Sequence, residues 1–192
     1  MKKVFAIITL SLMAVANIWY CYLAIKGVTH PTLMTWVMFF FAVVLSFSTY
    51  WSSKEHDLLN NVCNVGDLIL VLCVIIVIAF FSNNIRLSIN RTEVICLSLS
   101  AVVFIFWRIT KTHELSNIFI QIIMVIAYFP TFHQLITVSG ISESPIAWSV
   151  NWLSALSGVI TGVLGKDKLA IIYSGRSFVM ITILLILILK LT

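Results

Sequence analysis

The segment Gly27–Trp36 reads GVTHPTLMTW, and the segment Gly140–Trp148 reads GISESPIAW. In each, a glycine and a short polar link precede a proline, and a tryptophan follows as an apolar run begins. Pro31, Pro130 and Pro145 are the only prolines in the 192 residues, and the last two are 15 positions apart. The same spacing back from Pro31 reaches an alanine inside the first apolar stretch. The pattern predicts two copies of one helical unit in the same orientation, as in transporters built from repeats.

The composition indicates a membrane protein. The chain is 61% hydrophobic and 10% charged, with a mean hydropathy of +1.10, which is far from the soluble range. Seven windows approach the length of about 20 apolar residues that crosses a bilayer. They are 4–25, 33–52, 60–82, 92–110, 114–136, 145–164 and 168–191. We therefore predict an all-α integral membrane protein with seven transmembrane helices.

Seven spans cannot divide evenly into two repeats, so one span must connect them. We predict two parallel three-helix repeats and a connector helix, a 3+1+3 arrangement. The first repeat covers 1–86, the connector 87–111 and the second repeat 112–192. A single connecting span returns the chain to its starting side, so both repeats enter the membrane in the same sense.

The basic residues flank the spans and set an expected orientation. Seven lie on the side of the N-terminus: Lys2, Lys3, Lys54, Arg108, Lys111, Lys166 and Lys168. Four lie on the other side: Lys26, Arg86, Arg91 and Lys190. This bias predicts a cytoplasmic N-terminus and an outside C-terminus. We expect the protein to lie in a bacterial inner (plasma) membrane, with the lipid bilayer as a partner. We expect no nucleic-acid partner, because the charges form no basic tract.

Two charged residues fall within the apolar spans. Asp67 lies about seven residues into span three, and Arg176 about eight into span seven. At 1.5 Å per residue, both lie roughly 11–12 Å from the same membrane face. Each would cost about 2.5–3.5 kcal/mol near the bilayer centre. We predict an ion pair that neutralises itself across a solute pathway and couples transport to an ion. The alternative is a static pair that only joins the two halves.

Tryptophans and an amide predict a binding site. Trp36 and Trp148 occupy equivalent positions in the two repeats, at the start of spans two and six, where an interfacial aromatic belt and a binding site are both compatible with them. Trp152 lies one turn deeper, beside Asn151. Aromatic faces next to an amide suit a sugar or nucleoside ring, whose apolar faces stack while its hydroxyls form hydrogen bonds.

These features resemble the SWEET, semi-SWEET and PQ-loop transporters, including the bacterial vitamin-precursor transporters for nicotinamide riboside. The resemblance covers the whole chain through its 3+1+3 pattern. It implies that Pro31, Pro130 and Pro145 act as hinges, with Ala16 in the fourth hinge position. Pro130-Thr131 stands where a PQ dipeptide would be, so that signature is not met.

The resemblance also implies a substrate-binding asparagine in span three that faces a tryptophan of span two. These residues would be Asn64 and Trp36. In the second unit a tryptophan of span six is kept, but Tyr173 and Ser174 replace the asparagine. Asn64 has a structural alternative, a hydrogen bond between helices, which contributes about 0.6 kcal/mol on average.

Other functions find little support in the sequence. It has no metal-ligand spacing, no catalytic triad pattern and no phosphate-binding glycine loop, so we expect no enzyme, no metal and no cofactor. Ser154, Gly158 and Gly162 predict a small-residue stripe for close helix packing. The leading hypothesis is a small-solute transporter for a sugar, nucleoside or vitamin precursor that works by alternating access, facilitated or proton-coupled. The alternative is a non-transporting receptor or accessory subunit; a homo-oligomer is compatible with either.

Overall fold

The apolar windows form helices in the computed structural model. It describes residues 1–29, 31, 33–53, 56–81, 91–137 and 143–191, and every regular element within these ranges is a helix. The helices are α1 (Lys2–Ile25), α2 (Leu33–Trp51), α3 (Val62–Phe81), α4 (Arg91–Thr110), α5 (His113–Ile126), α6 (Phe129–Thr137), α7 (Pro145–Gly165) and α8 (Lys168–Leu191). His30, Lys54, Arg86, Gly140 and the expected boundary at 86–87 lie outside the described residues.

Five described helical segments are long and apolar enough to cross a membrane: Lys2–Ile25, Val62–Phe81, His113–His133, Pro145–Gly165 and Lys168–Lys190. Two further apolar segments, Trp36–Trp51 and Leu97–Thr110, are shorter. Large apolar side chains also point outward; Phe80 is 78% exposed and Leu189 72%. Such a surface is unfavourable in water and is compatible with contact to lipid.

The fifth expected span is not one continuous helix. α5 ends at Ile126, a turn covers 127–128, and α6 begins at Phe129. Pro130 is the second residue of α6. Because proline has no N–H, the carbonyl of residue 126 loses its normal partner, and this accounts for the interruption.

The two halves of the chain meet where α1 packs along α7, and this contact is the most extensive in the bundle. Thr9 Oγ1 donates to Ser157 Oγ over 2.9 Å, and Ser154 Oγ donates to the Thr9 carbonyl over 3.1 Å. On another side of α7, Gly158 leaves no room for a Cβ beside Cys63 Sγ. The predicted small-residue stripe is therefore a packing surface, as expected for close helices in a membrane.

One end of the bundle is closed by hydrogen bonds, and we call it the Lys2 face. Tyr50, at the end of α2, is fully buried, and its Oη lies 2.6 Å from Asp167 Oδ2, just before α8. It also lies 2.7 Å from the Asp57 carbonyl and accepts from the Asp57 N–H. Lys2 Nζ pairs with Asp57 Oδ2 at 2.8 Å. α1, α3 and α8 begin at this face; α7 begins at the opposite end, which we call the Glu143 face.

Candidate functional site

A partly open cavity lies among α1, α2, α3, α7, α8 and the α5–α6 turn. It holds about 980 Å³ of space free of atoms, a figure that includes the open solvent at its mouth. Much of its wall comes from the half of the bundle next to the Glu143 face. Tyr20 lies late in α1, Trp36 early in α2, and Glu143 just before α7. Asp67 and Cys63 line it deeper in the bundle, towards the Lys2 face.

Five aromatic side chains surround the cavity and form a ring that we call the aromatic collar. Trp36 contacts Tyr20 with ring centroids 5.3 Å apart, and Tyr20 contacts Trp148 at 6.4 Å. Trp148 contacts Tyr128 at 6.5 Å, and Tyr128 contacts Phe39 at 5.9 Å. Trp36 and Phe39 are both on α2, which completes the collar. Four separate segments thus supply one aromatic wall, suited to the flat or apolar faces of a small solute.

Glu143 is a carboxylate within this wall. It is 5% exposed; Trp148 Nε1 donates to its Oε2 over 2.9 Å, and Tyr20 Oη lies 3.5 Å from its Oε1. Burial raises the pKa of Glu143 to about 7, against the hydrogen bonds from Trp148 and Tyr20. Its position is fixed by the start of α7, where Ser144 caps the helix and Pro145 is the first residue.

The expected ion pair between Asp67 and Arg176 does not form. Asp67 lines the cavity and accepts a 2.7 Å hydrogen bond from Tyr173 Oη. The Arg176 guanidinium lies over the Tyr173 ring, 5.0 Å from its centroid, and donates to Gln121 and Ser177. Tyr173 bridges the two charged groups, since its hydroxyl binds one and its ring contacts the other. Within the described part of the chain, the one salt bridge is Lys2–Asp57.

Asn64 lies away from the cavity, contrary to the role implied for it. Its side chain is fully buried and donates to Ser46 Oγ on α2 over 3.0 Å. Asn117 and Gln121, both on α5, donate to the same region: Asn117 to the Ser46 carbonyl and Gln121 to Ser46 Oγ, each over 3.0 Å. Asn64 therefore joins α3 to α2, while α5 binds the same serine, and this is the structural alternative considered for it.

The other residues predicted for the binding site also divide between those that line the cavity and those that pack helices together. Trp36, Trp148 and Asn151 line the cavity. Trp152 does not: its Nε1 donates to Thr182 Oγ1 on α8 over 2.8 Å. Tyr173 and Ser174 are buried and outside the lining, although Tyr173 positions Asp67. The structure thus brings part of the predicted set together and assigns the rest to helix packing.

The three prolines occupy different structural positions. Pro145 begins α7, and Pro31 precedes α2 and lines the cavity, so neither interrupts a helix. Proline is well tolerated at a helix start, because the first N–H groups have no partner there. By backbone position Pro130 alone lies at a break within a predicted span; its side chain is outside the described part of the structure.

The sequence reasoning missed Tyr20, Tyr128 and Glu143. A usable signal existed for Glu143, because the chain has only seven acidic residues. This one lies five positions before Trp148 in the repeated segment, where a ring N–H can reach it. Tyr20 and Tyr128 gave no such signal, because they lie in apolar stretches and reach Trp148 only through the tertiary fold.

No family model matches the chain, and no curated protein or solved structure matches it.

Proposed function

We propose that the chain is a membrane transporter for a small organic solute, which binds in the cavity within the aromatic collar. The observation that carries the proposal is a cavity inside a bundle of membrane-length helices, walled by aromatic rings and lined by carboxylates and amides. A bundle sealed by side chains at the depth of Asp67 would instead have favoured a receptor or accessory subunit. Asn17, Asn151 and Ser154 supply amides and a hydroxyl for hydrogen bonds to the solute.

The proposal includes the 3+1+3 arrangement. In its support, α3 packs against both α1 and α2, while α8 packs against α7 and against α5 and α6. The third helix of each triplet thus contacts the other two. This common packing is what two copies of one unit would produce, with α4 as the connector.

The proposal also includes alternating access. The cavity lies mainly in the half of the bundle next to the Glu143 face, and the Tyr50 hydrogen bonds close the Lys2 face. With the N-terminus in the cytoplasm, this arrangement would be an outward-facing state. Asp67 is the proposed coupling carboxylate, because it lines the cavity and its partner Tyr173 lies on another helix, α8. A relative movement of α3 and α8 would break that contact and free the carboxylate to take up a proton.

Uptake into proteoliposomes tests the function. Purified protein should take up at least one member of a labelled panel of sugars, nucleosides, vitamin precursors and small amines. Trp148→Ala should reduce uptake of that solute by roughly tenfold, because loss of ring contacts at this level costs about 1.4 kcal/mol.

Trp152→Ala is the matched control, since Trp152 lies one turn away on α7 and outside the cavity. Its uptake per folded molecule should stay near that of the wild type. Equal losses in the two variants would contradict the site, and a panel without any transported solute would contradict the function.

A further inference from the structure

The charged side chains that line the described part of the cavity have one sign. Its lining contains two carboxylates, Asp67 and Glu143, and no lysine, arginine or histidine among the described residues that form the wall. His30, next to Pro31 in sequence, lies outside the described residues. A wall of this kind attracts cations and repels anions.

The two carboxylates differ in how their charge is compensated. Asp67 has Arg176 on the far side of Tyr173, so a buried positive charge lies near it. Glu143 has two uncharged donors, Trp148 and Tyr20, and no basic side chain among the described residues lies within the 4 Å of a salt bridge. A buried carboxylate without a counter-ion is costly, and a positively charged ligand would supply the missing charge.

The groups around Glu143 favour an organic cation over a metal ion. Trp148 and Tyr20 hold the carboxylate, and Trp36 contacts Tyr20 on the other side. Aromatic faces bind ammonium groups through their ring electrons, and tryptophan is the strongest in this respect. A metal ion would need several oxygen or nitrogen ligands at about 2.0–2.6 Å, which indole and phenol rings do not supply.

We propose that Glu143 and the aromatic collar form a cation-binding site, and that the solute carries an alkylated or protonated ammonium group. The inference rests on the proposed function for the location of the site, and it adds the charge class of the solute. Glu143 is the specificity-determining residue: it selects against neutral solutes of the same shape. A neutral sugar would satisfy the amides but leave this carboxylate unpaired.

Binding of two molecules of one shape tests the proposal. Choline and its neutral carbon analogue dimethylbutanol, in which carbon replaces nitrogen, differ in charge alone. Affinities are measured on the full chain in lipid nanodiscs, by competition and by quenching of tryptophan fluorescence. We expect choline to bind at least tenfold more tightly than dimethylbutanol.

Glu143→Gln should bring the ratio of the two affinities to about one while dimethylbutanol still binds. That neutral ligand shows that the variant is folded, and Glu143→Asp is a second variant that should keep the preference. Glu114→Gln changes an exposed carboxylate on α5 in the same way and should leave the ratio unchanged. The proposal is overturned if the wild type binds the two ligands equally, or if the preference for choline persists in Glu143→Gln. It is also overturned if none of choline, tetramethylammonium and a small primary amine binds.

The outcomes separate this inference from the proposed function. If the protein transports a neutral solute, and this transport depends on Trp148 but not on Glu143, the proposed transporter function is supported and cation selectivity is excluded. Selective binding of choline without uptake of any cation would support the site and exclude transport.

Discussion

Single side chains decide what this cavity can bind, and Glu143 illustrates how. It lies two residues before the first turn of α7, in a loop position that would normally be hydrated, yet it is 5% exposed. The cap at Ser144 and the indole of Trp148 fix it against the end of α1. The result is a carboxylate that changes its charge near neutral pH, because burial raises its pKa to about 7.

Cation affinity should therefore depend on pH. A carboxyl group is neutral below its pKa and ionised above it, so binding of choline should strengthen as the pH rises through about 7. Below that value, the affinity should fall by up to about tenfold per pH unit. Among the described residues, the other titratable groups that face Glu143 or line the cavity are Tyr20 on α1, Tyr128 at the α5–α6 turn, and Cys63 and Asp67 on α3. Binding titrations between about pH 5.5 and about pH 8.5 measure the effect. Glu143→Gln should remove the transition near pH 7; an unchanged transition would assign it to another group.

The two asparagines in the predicted site should behave differently. Asn151→Ala should weaken solute binding without a large change in thermal stability, because Asn151 lines the cavity. Asn64→Ala should leave affinity unchanged and lower stability by about 0.6–1.7 kcal/mol, because its 3.0 Å hydrogen bond to Ser46 joins two helices. Thermal unfolding and binding measured on the same preparations distinguish the two effects. A loss of solute affinity in Asn64→Ala would show instead that Asn64 belongs to the binding site.

At the scale of helices, α7 connects the two halves through close packing on more than one side. Ser154 and Ser157 hydrogen-bond to the backbone of α1, while Gly158 packs against Cys63 on α3 and Ser174 on α8. Small side chains on α7 thus set how closely three other helices approach. The same helix carries Trp148 and Asn151, so its packing also determines the shape of the cavity.

Gly158→Ala should destabilise the protein by about 1–3 kcal/mol, because the new Cβ would overlap Cys63 Sγ and lie 3.0 Å from Ser174 Oγ. Adding Cys63→Ala should recover most of the loss, since it removes the overlapping sulfur. Gly175→Ala is the matched control, because a Cβ there would meet nothing within 4 Å. Thermal or denaturant unfolding in detergent compares the wild type with Gly158→Ala, Cys63→Ala, the double variant and Gly175→Ala. Additive losses in the double variant would contradict this packing.

At the scale of the whole molecule, the two ends of the bundle differ. Much of the cavity wall lies next to the Glu143 face, while the Lys2 face is held by Tyr50, Asp167, Asp57 and Lys2. Tyr50 joins the end of α2 to the start of α8, which belong to different halves of the chain. In the proposed alternating access, these contacts would have to break for the Lys2 face to open.

Tyr50→Phe should shift the protein towards a state open at the Lys2 face. Loss of a hydrogen bond to a charged acceptor amounts to about 1.5–3 kcal/mol, which changes a two-state equilibrium by roughly ten- to a hundredfold. Cys63 lines the cavity and can report the change when Cys21, Cys73 and Cys96 are replaced by alanine. A membrane-impermeant thiol reagent applied from the Lys2 face should label it faster in Tyr50→Phe. As a control, Tyr22→Phe changes a tyrosine that is 49% exposed and should not alter the labelling rate of Cys63. Equal labelling rates in the wild type, Tyr50→Phe and Tyr22→Phe would contradict closure of the Lys2 face by Tyr50.

The sequence by itself determined the helices and where several of them begin. Long apolar runs must be helical in a bilayer, Pro145 begins α7, and Pro130 interrupts a span, because these outcomes depend on local backbone chemistry. The tertiary structure alone decided which polar side chains meet in the cavity. Asn64 and Asp67 are three residues apart on α3, yet one joins helices and the other lines the cavity. In a chain whose helices are apolar towards both lipid and protein, the sequence carries only a weak signal for how each helix is rotated, and packing between helices sets that rotation.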